Sequence, residues 1–258
     1  MFKASPDSIR RWLPRVSWLL LFLGLTALLL LALAGPAYRM GLLELGGAFG
    51  LFRYAAFIGL FTALMALAPL GLALYLGSVR RAAVLSLVAL LAGALSVAIP
   101  YGWRAQAQSV PPIHDISTDT DAPPAFREIA PLRADAPNPV EYAGEETAEQ
   151  QREAYPDLET LRLSVDAETA LDASVTVAQT MGWELVAVNA ADGRLEATAT
   201  TRWFGFKDDV VIRIRESGEG SELDIRSKSR VGRSDVGTNA ARIREFRERL
   251  LDRLGEND

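Results

Sequence analysis

The sequence predicts a membrane-anchored α+β protein: three transmembrane helices, then a two-layer domain in which two packed helices cover an antiparallel sheet of four to five strands. Three observations carry that prediction. Charge divides the 258-residue chain in two, because residues 1–104 hold nine Lys/Arg and two Asp/Glu (+7) whereas residues 105–258 hold eighteen and thirty (−12). Three apolar runs fall in the basic part. In the acidic part, apolar residues recur with a period of two between two stretches of helical period.

The runs Ser17–Ala34 and Ala55–Gly77 carry no charge, and Ala82–Ile99 follows directly on Arg80 and Arg81. Each has the roughly 18–20 residues that a helix needs to cross about 30 Å of hydrocarbon. No charge interrupts a span, which argues against a proton relay or an ion path. Pro69 falls inside the second run, where its ring removes a backbone hydrogen bond and should kink the helix. Between the first two runs, Tyr38–Arg53, with Gly46, Gly47 and Gly50, reads as a loop at the interface. Gly24, Gly59, Ala63, Ala66 and Gly93 are small enough to let helices approach closely.

Lys3, Arg10, Arg11 and Arg15 precede the first span, and Arg80 and Arg81 separate the second from the third, so six basic residues share one side. Arg39, Arg53 and Arg104 fall on the other. The positive-inside rule then predicts an inner (cytoplasmic) membrane protein with a cytoplasmic amino terminus and an exported carboxyl-terminal domain. Ala32-Leu-Ala34 has the pattern of a signal-cleavage site, but the apolar run is longer than a usual signal core, which favours an uncleaved anchor.

Residues 105–124 read as an acidic, Pro-rich tether and 125–258 as the exported domain. Pro111-Pro112 and Pro123-Pro124 favour extended backbone, and too few large apolar residues lie before 160 to form a separate core. Phe126, Ile129, Val140, Tyr142, Tyr155 and Leu158 are the expected docking points. Leu161–Val165 reads as a short strand. Asp166 is a helix cap, and Leu171, Val175, Ala178 and Met181 share one helical face up to Gly182. Strands follow over Trp183–Val188, Arg194–Trp203, Val210–Arg215 and Leu223–Lys228, with turns at Ala191–Gly193 and Ser217–Gly220. The last helix covers about Asn239–Leu254, with Ile243, Phe246, Leu250, Leu251 and Leu254 as its apolar stripe.

Candidate chemistry is sparse. His114 is the only histidine and cysteine is absent, so no metal site and no cofactor are expected. Asp208 and Asp209 sit between Lys207 and the strand that starts at Val210. Cation-loop spacing is absent, and adjacent residues on a strand point to opposite faces. This favours one carboxylate pairing Lys207 or a sheet arginine and the other capping the turn over paired acid–base work. The loop Arg230–Asn239 leads from a strand into a helix, where free N–H groups and the dipole favour anions. Arg230, Arg233, Ser234, Asp235 and Asn239 are its candidate binding residues. Two readings stay open: a ligand or partner site, or a loop locked by Asp235 capping the helix and by Arg–Asp pairs. Arg230, Arg233, Asp235 and Asn239 are expected to converge at one place. Trp203-Phe-Gly-Phe206 reads as a core plug, or as an anchor if exposed.

Arg202–Asp209 and Arg226-Ser-Lys-Ser-Arg-Val-Gly-Arg-Ser-Asp-Val-Gly-Thr-Asn239, together with Pro137–Tyr142, Ala154–Asp157, Met181–Trp183 and Gly193–Ala197, resemble family 1499 of the domain-of-unknown-function (DUF) series over roughly residues 125–252. The resemblance implies a small envelope or organellar domain, in some members fused to membrane helices, and no catalytic assignment. The expected function is therefore a non-enzymatic binding or scaffold module of the cell envelope. The alternative is an envelope hydrolase using Asp208, Asp209 or Asp235. The lipid bilayer is one expected partner, and an envelope protein or small anionic ligand another. Nucleic acid is not, since residues 161–258 carry a net charge of −3.

Overall fold

A computed structural model describes residues 6–218 and 220–256, so that Lys3 and Glu219 of the Ser217–Gly220 turn lie outside the described residues. The chain forms two compact units, residues 1–105 and 106–258.

The first unit is three helices long and apolar enough to cross a membrane: α1 (Pro6–Arg39), α2 (Leu45–Leu76) and α3 (Arg80–Ser109). The buried stripes of α2 and α3 consist of small residues, while α1 also buries Leu13, Leu20, Leu21 and Leu31. On α2 the stripe comprises Ala48, Ala55, Gly59, Thr62, Ala66, Pro69 and Ala73, spaced three or four apart from Ala55 onward; on α3 it comprises Ala82, Ser86, Ala89, Ala92, Gly93 and Ser96. Large apolar residues such as Phe22, Phe57 and Leu91 face outward. This distribution is the one expected where lipid removes the drive to bury leucine and close backbone approach remains. A Cβ added to Gly93 meets the Gly59 carbonyl at 2.5 Å, so α2 and α3 touch through their backbones. Ser17 Oγ and Ser86 Oγ share a 2.8 Å hydrogen bond between α1 and α3. One expectation is corrected: the glycine-rich stretch 45–53 is helical, and the loop between α1 and α2 is only Met40–Glu44. The helical penalty of Gly, about 1 kcal/mol, is smaller than the several kcal/mol that an unpaired backbone group costs in an apolar medium.

The second unit is built on a six-stranded antiparallel sheet of order β1-β6-β5-β4-β3, with β2 also pairing β6. Its strands are β1 (Asp115–Ser117), β2 (Leu161–Leu163), β3 (Glu184–Asn189), β4 (Arg194–Thr200), β5 (Lys207–Ser217) and β6 (Gly220–Ser229). The helices are α4 (Glu145–Ala154), α5 (Ala167–Thr180) and α6 (Thr238–Leu254). Period-two patterning works as expected. Leu195, Ala197, Val210, Ile212, Ile214, Leu223 and Ile225 meet Leu171 and Val177 of α5 and Ile243, Phe246 and Leu250 of α6 in one core. Trp183 stacks on Phe246 at 5.5 Å. Asp166 caps α5 through a 2.7 Å bond from Thr169 N–H. The β4–β5 register brings the Gly193 turn so close that an added Cβ meets the Ile214 carbonyl at 2.3 Å, which only glycine at φ +55° tolerates.

The opposite face of the sheet is covered as well. Phe126, Ile129 and Val211 pack there with Val140 and Val186, so residues 126–140 lie over the strands. Composition assigned residues 105–124 to a tether, yet Asp115–Ser117 pairs with Arg226–Lys228 as β1 and is fully buried. Within the stretch expected to dock only through scattered apolar residues, Glu145–Ala154 forms α4. Gln151 of that helix occupies the open edge of β1, accepting from Ser117 N–H (2.9 Å) and donating to its carbonyl (2.6 Å), as a neighbouring strand does.

Candidate functional site

Asp208 and Asp209 open β5 and, as the pleat dictates, point to opposite faces. Asp208 turns towards α6 and accepts from Arg242 at 2.6 Å. Beside it, Asn239 donates to the His114 carbonyl (3.1 Å) and Ser229 Oγ (3.0 Å), and accepts from Ser227 Oγ (2.7 Å) and from Arg242. Asp209 turns the other way, is fully buried, and holds Arg230 in a two-pronged pair (2.8 and 2.9 Å), Arg133 (3.1 Å) and Thr198 Oγ1 (2.8 Å). Lys207 is exposed, and its carbonyl accepts from Arg230 N–H.

Further along the same face, Asp115 pairs Arg226 (2.8 and 2.9 Å) and Lys228 (3.0 Å). The Arg226 guanidinium is sandwiched between Phe126 (4.9 Å) and Tyr142 (5.3 Å) and donates to the carbonyls of Pro124 and Val140. Glu196 accepts from the backbone N–H groups of Arg127 and Ile129 and from Arg194. Asp224 pairs Arg213 and Arg215, each at 2.8 Å. Each carboxylate thus ties the covering segment or a neighbouring strand to the sheet. Burial lowers the pKa of Lys228, with Asp115 opposing the shift, and lowers that of Arg133, opposed by Asp209. Burial, aided by the Asp115 charge, pushes the Tyr142 phenol up to about 12.

The 230–239 loop divides its residues rather than gathering them. Arg230 goes to Asp209 on the covered face, whereas Asn239 lies under α6 on the other. Arg233 is exposed, and Ser234 Oγ accepts from Val236 N–H at 3.1 Å. Asp235 turns back on the backbone and accepts from Gly237 N–H and Asn239 N–H, both at 2.8 Å. Convergence of Arg230, Arg233, Asp235 and Asn239 therefore does not occur, because Ser229 at the end of β6 turns to Asn239 while the next residue, Arg230, turns to Asp209 on the other face. Asp235 takes the place an anion would occupy at the α6 amino terminus. Desolvation raises its pKa, and the two N–H bonds only partly offset that rise. Val236 next to it has φ +56°, the left-handed region, and is exposed.

A cleft of about 460 Å³ opens at this corner, lined by Trp183, Thr200, Val236, Thr238, Arg242 and Glu245 among others. Phe204 is buried and stacks on Phe206 at 4.7 Å, with Trp203 edge-on at 5.2 Å. Sequence reasoning missed Asp115, Arg133 and Gln151. The first two offered a signal only as charges without an exposed partner, and Gln151 offered none. Among the described residues, no group of three or more His, Cys, Asp or Glu is arranged to hold a metal ion.

Fold and site together define a class: an α+β domain whose sheet carries buried ion pairs on the face away from its helices, preceded by three helices able to cross a bilayer. The chain belongs to the family described as protein of unknown function (DUF1499), whose profile matches residues 115–250. No curated protein matches the chain.

Proposed function

We propose that residues 106–258 form a non-enzymatic recognition module, held on the exported side of the cytoplasmic membrane by the three helices. One observation carries this reading: Asp208, Asp209 and Asp235, the residues best suited to acid–base work, are each engaged by arginine or backbone N–H groups. A carboxylate so held is a poor proton shuttle. The recognition surface in this reading is the cleft beside the α6 amino terminus. Val236 supports that choice, because a β-branched residue at positive φ costs on the order of 1–3 kcal/mol and such strain clusters at functional sites. The occupant is a segment of an envelope protein or a small anionic ligand that meets Arg242 and the Trp183 edge. The exported placement is supported by the basic residues Arg10, Arg11, Arg15, Arg80 and Arg81, which three spans would put on one side.

The test is photo-crosslinking in native membranes from a probe at Thr200 or Glu245, with a control probe at Arg162, away from this cleft. The module reading expects one saturable adduct from the cleft positions only. Equal labelling from all three positions counts against it. The rival reading, an envelope hydrolase, draws on one observation, the raised pKa of Asp235. It requires that Asp235→Asn abolish function without a loss of thermal stability.

A further inference from the structure

We infer that one end of the helix bundle is a binding site for the headgroup of an anionic glycerophospholipid, clasped between α1 and α3. Arg15 and Trp18 stand three residues apart on α1, and the Arg81 guanidinium of α3 lies over the Trp18 ring at 5.8 Å. Both arginines are exposed, and among the described residues neither has a carboxylate partner. The two helices are held together just below by the Ser17–Ser86 hydrogen bond, and deeper by the approach of Gly24 to Ala92, so the seam between them is fixed. Acids are nearly absent from this half of the chain. Glu44 lies in the α1–α2 loop at the opposite end. Asp7 is eight residues before Arg15, about 12 Å away along a helix axis.

Two cations flanking an aromatic ring at a membrane interface match the parts of a phospholipid in order. The guanidinium forks suit a phosphodiester, and Trp18, half exposed, suits the glycerol level where indoles concentrate. Helical spacing then sets Phe22 beneath Trp18 and Val84 and Val88 beneath Arg81, all exposed and apolar, as a wall for the acyl chains. Phosphate alone uses only the upper part of this arrangement. A zwitterionic lipid brings its own cation to a site that already has two. The geometry therefore favours a lipid with net negative charge, and this holds independently of what the cleft beside α6 recognises.

The experiment is native mass spectrometry of the full chain released from detergent after incubation with dioleoylphosphatidylglycerol or dioleoylphosphatidylcholine. The anionic lipid should be retained about tenfold more than the zwitterionic one. The double variant Arg15→Gln/Arg81→Gln should lose that preference, while Arg39→Gln/Arg53→Gln at the other end keeps it. Arg15→Lys/Arg81→Lys, which preserves charge, should retain part of it, and this separates lost binding from lost folding. Millimolar inorganic phosphate should not displace the lipid. Equal retention of the two lipids, equal effects of the two Gln pairs, or displacement by phosphate would each overturn the assignment.

Discussion

At the scale of single residues, the domain depends on charges that have left water. A buried pair is weak evidence of net stabilisation, but breaking one is costly because the orphaned partner stays desolvated. Arg226→Met leaves Asp115 with only Lys228 and the Ala143 N–H and should cost about 3–5 kcal/mol, measured by urea unfolding of the full chain. Asp235→Ala removes two bonds to the start of α6 and should cost about 1–2 kcal/mol. The difference between the two separates a buried pair from a helix cap.

Tyr142 gives a pH signature. In an unfolded chain its phenol titrates near 10, whereas in the fold it is pushed up to about 12. Between these values the unfolded state has lost the proton and the folded state still holds it. Stability therefore falls as pH rises through the window from about 10 to about 12. Tyr142→Phe should flatten that fall while leaving stability near pH 7 almost unchanged, since the hydroxyl has no hydrogen-bond partner among the described residues. An alkaline unfolding curve identical in both proteins would refute the assignment.

At the scale of elements, legibility followed the strength of the repeating pattern. The alternation Leu195-Glu196-Ala197-Thr198 and the Asp166 cap announce β4 and α5 without help from tertiary structure. β1 could not be read this way: Asp115-Ile-Ser117 is three residues with an acid at its head. It is a strand because Asp115 finds Arg226, which lies far along the chain. α4 was hidden for a related reason, as it has no apolar stripe and buries only Ala148 and Gln151. The candidate loop was legible as a special segment but not in its geometry, since the division of Arg230 and Asn239 between two faces depends on sheet register. Gln151→Ala should uncover the Ser117 backbone at a cost of about 1–3 kcal/mol. Hydrogen exchange at Ser117 should accelerate more than at the centre of β5. In the membrane unit, Gly93→Leu should prevent α2 from meeting α3 and lower the melting temperature in detergent far more than Gly71→Leu, where an added Cβ meets nothing.

For the whole molecule, the two units obey opposite packing rules. Helices α2 and α3 hide alanine, glycine and serine and turn their large side chains outward, whereas the domain buries leucine, isoleucine and phenylalanine under α5 and α6 and most of its ion pairs on the opposite face of the sheet. That contrast explains why averages over the full sequence describe neither half. A reporter that is active only in the cytoplasm, fused after Asp258, should stay silent if the domain is exported; activity would reverse the proposed orientation.

The central claim is that the domain's interior carboxylates serve its structure and leave recognition, not catalysis, to its surface. Its most direct test sets thermal stability against function in cells for Asp208→Asn, Asp209→Asn and Asp235→Asn in the full chain. Asp209→Asn, which removes the charge that faces Arg133 and Arg230 in the interior, should lower the melting temperature most, by several degrees or more, and Asp235→Asn least. Any failure to complement a deletion strain should follow that order and recover at lower temperature. A variant that melts with the parent protein yet fails to complement at every temperature would contradict the claim and make that aspartate a catalytic group.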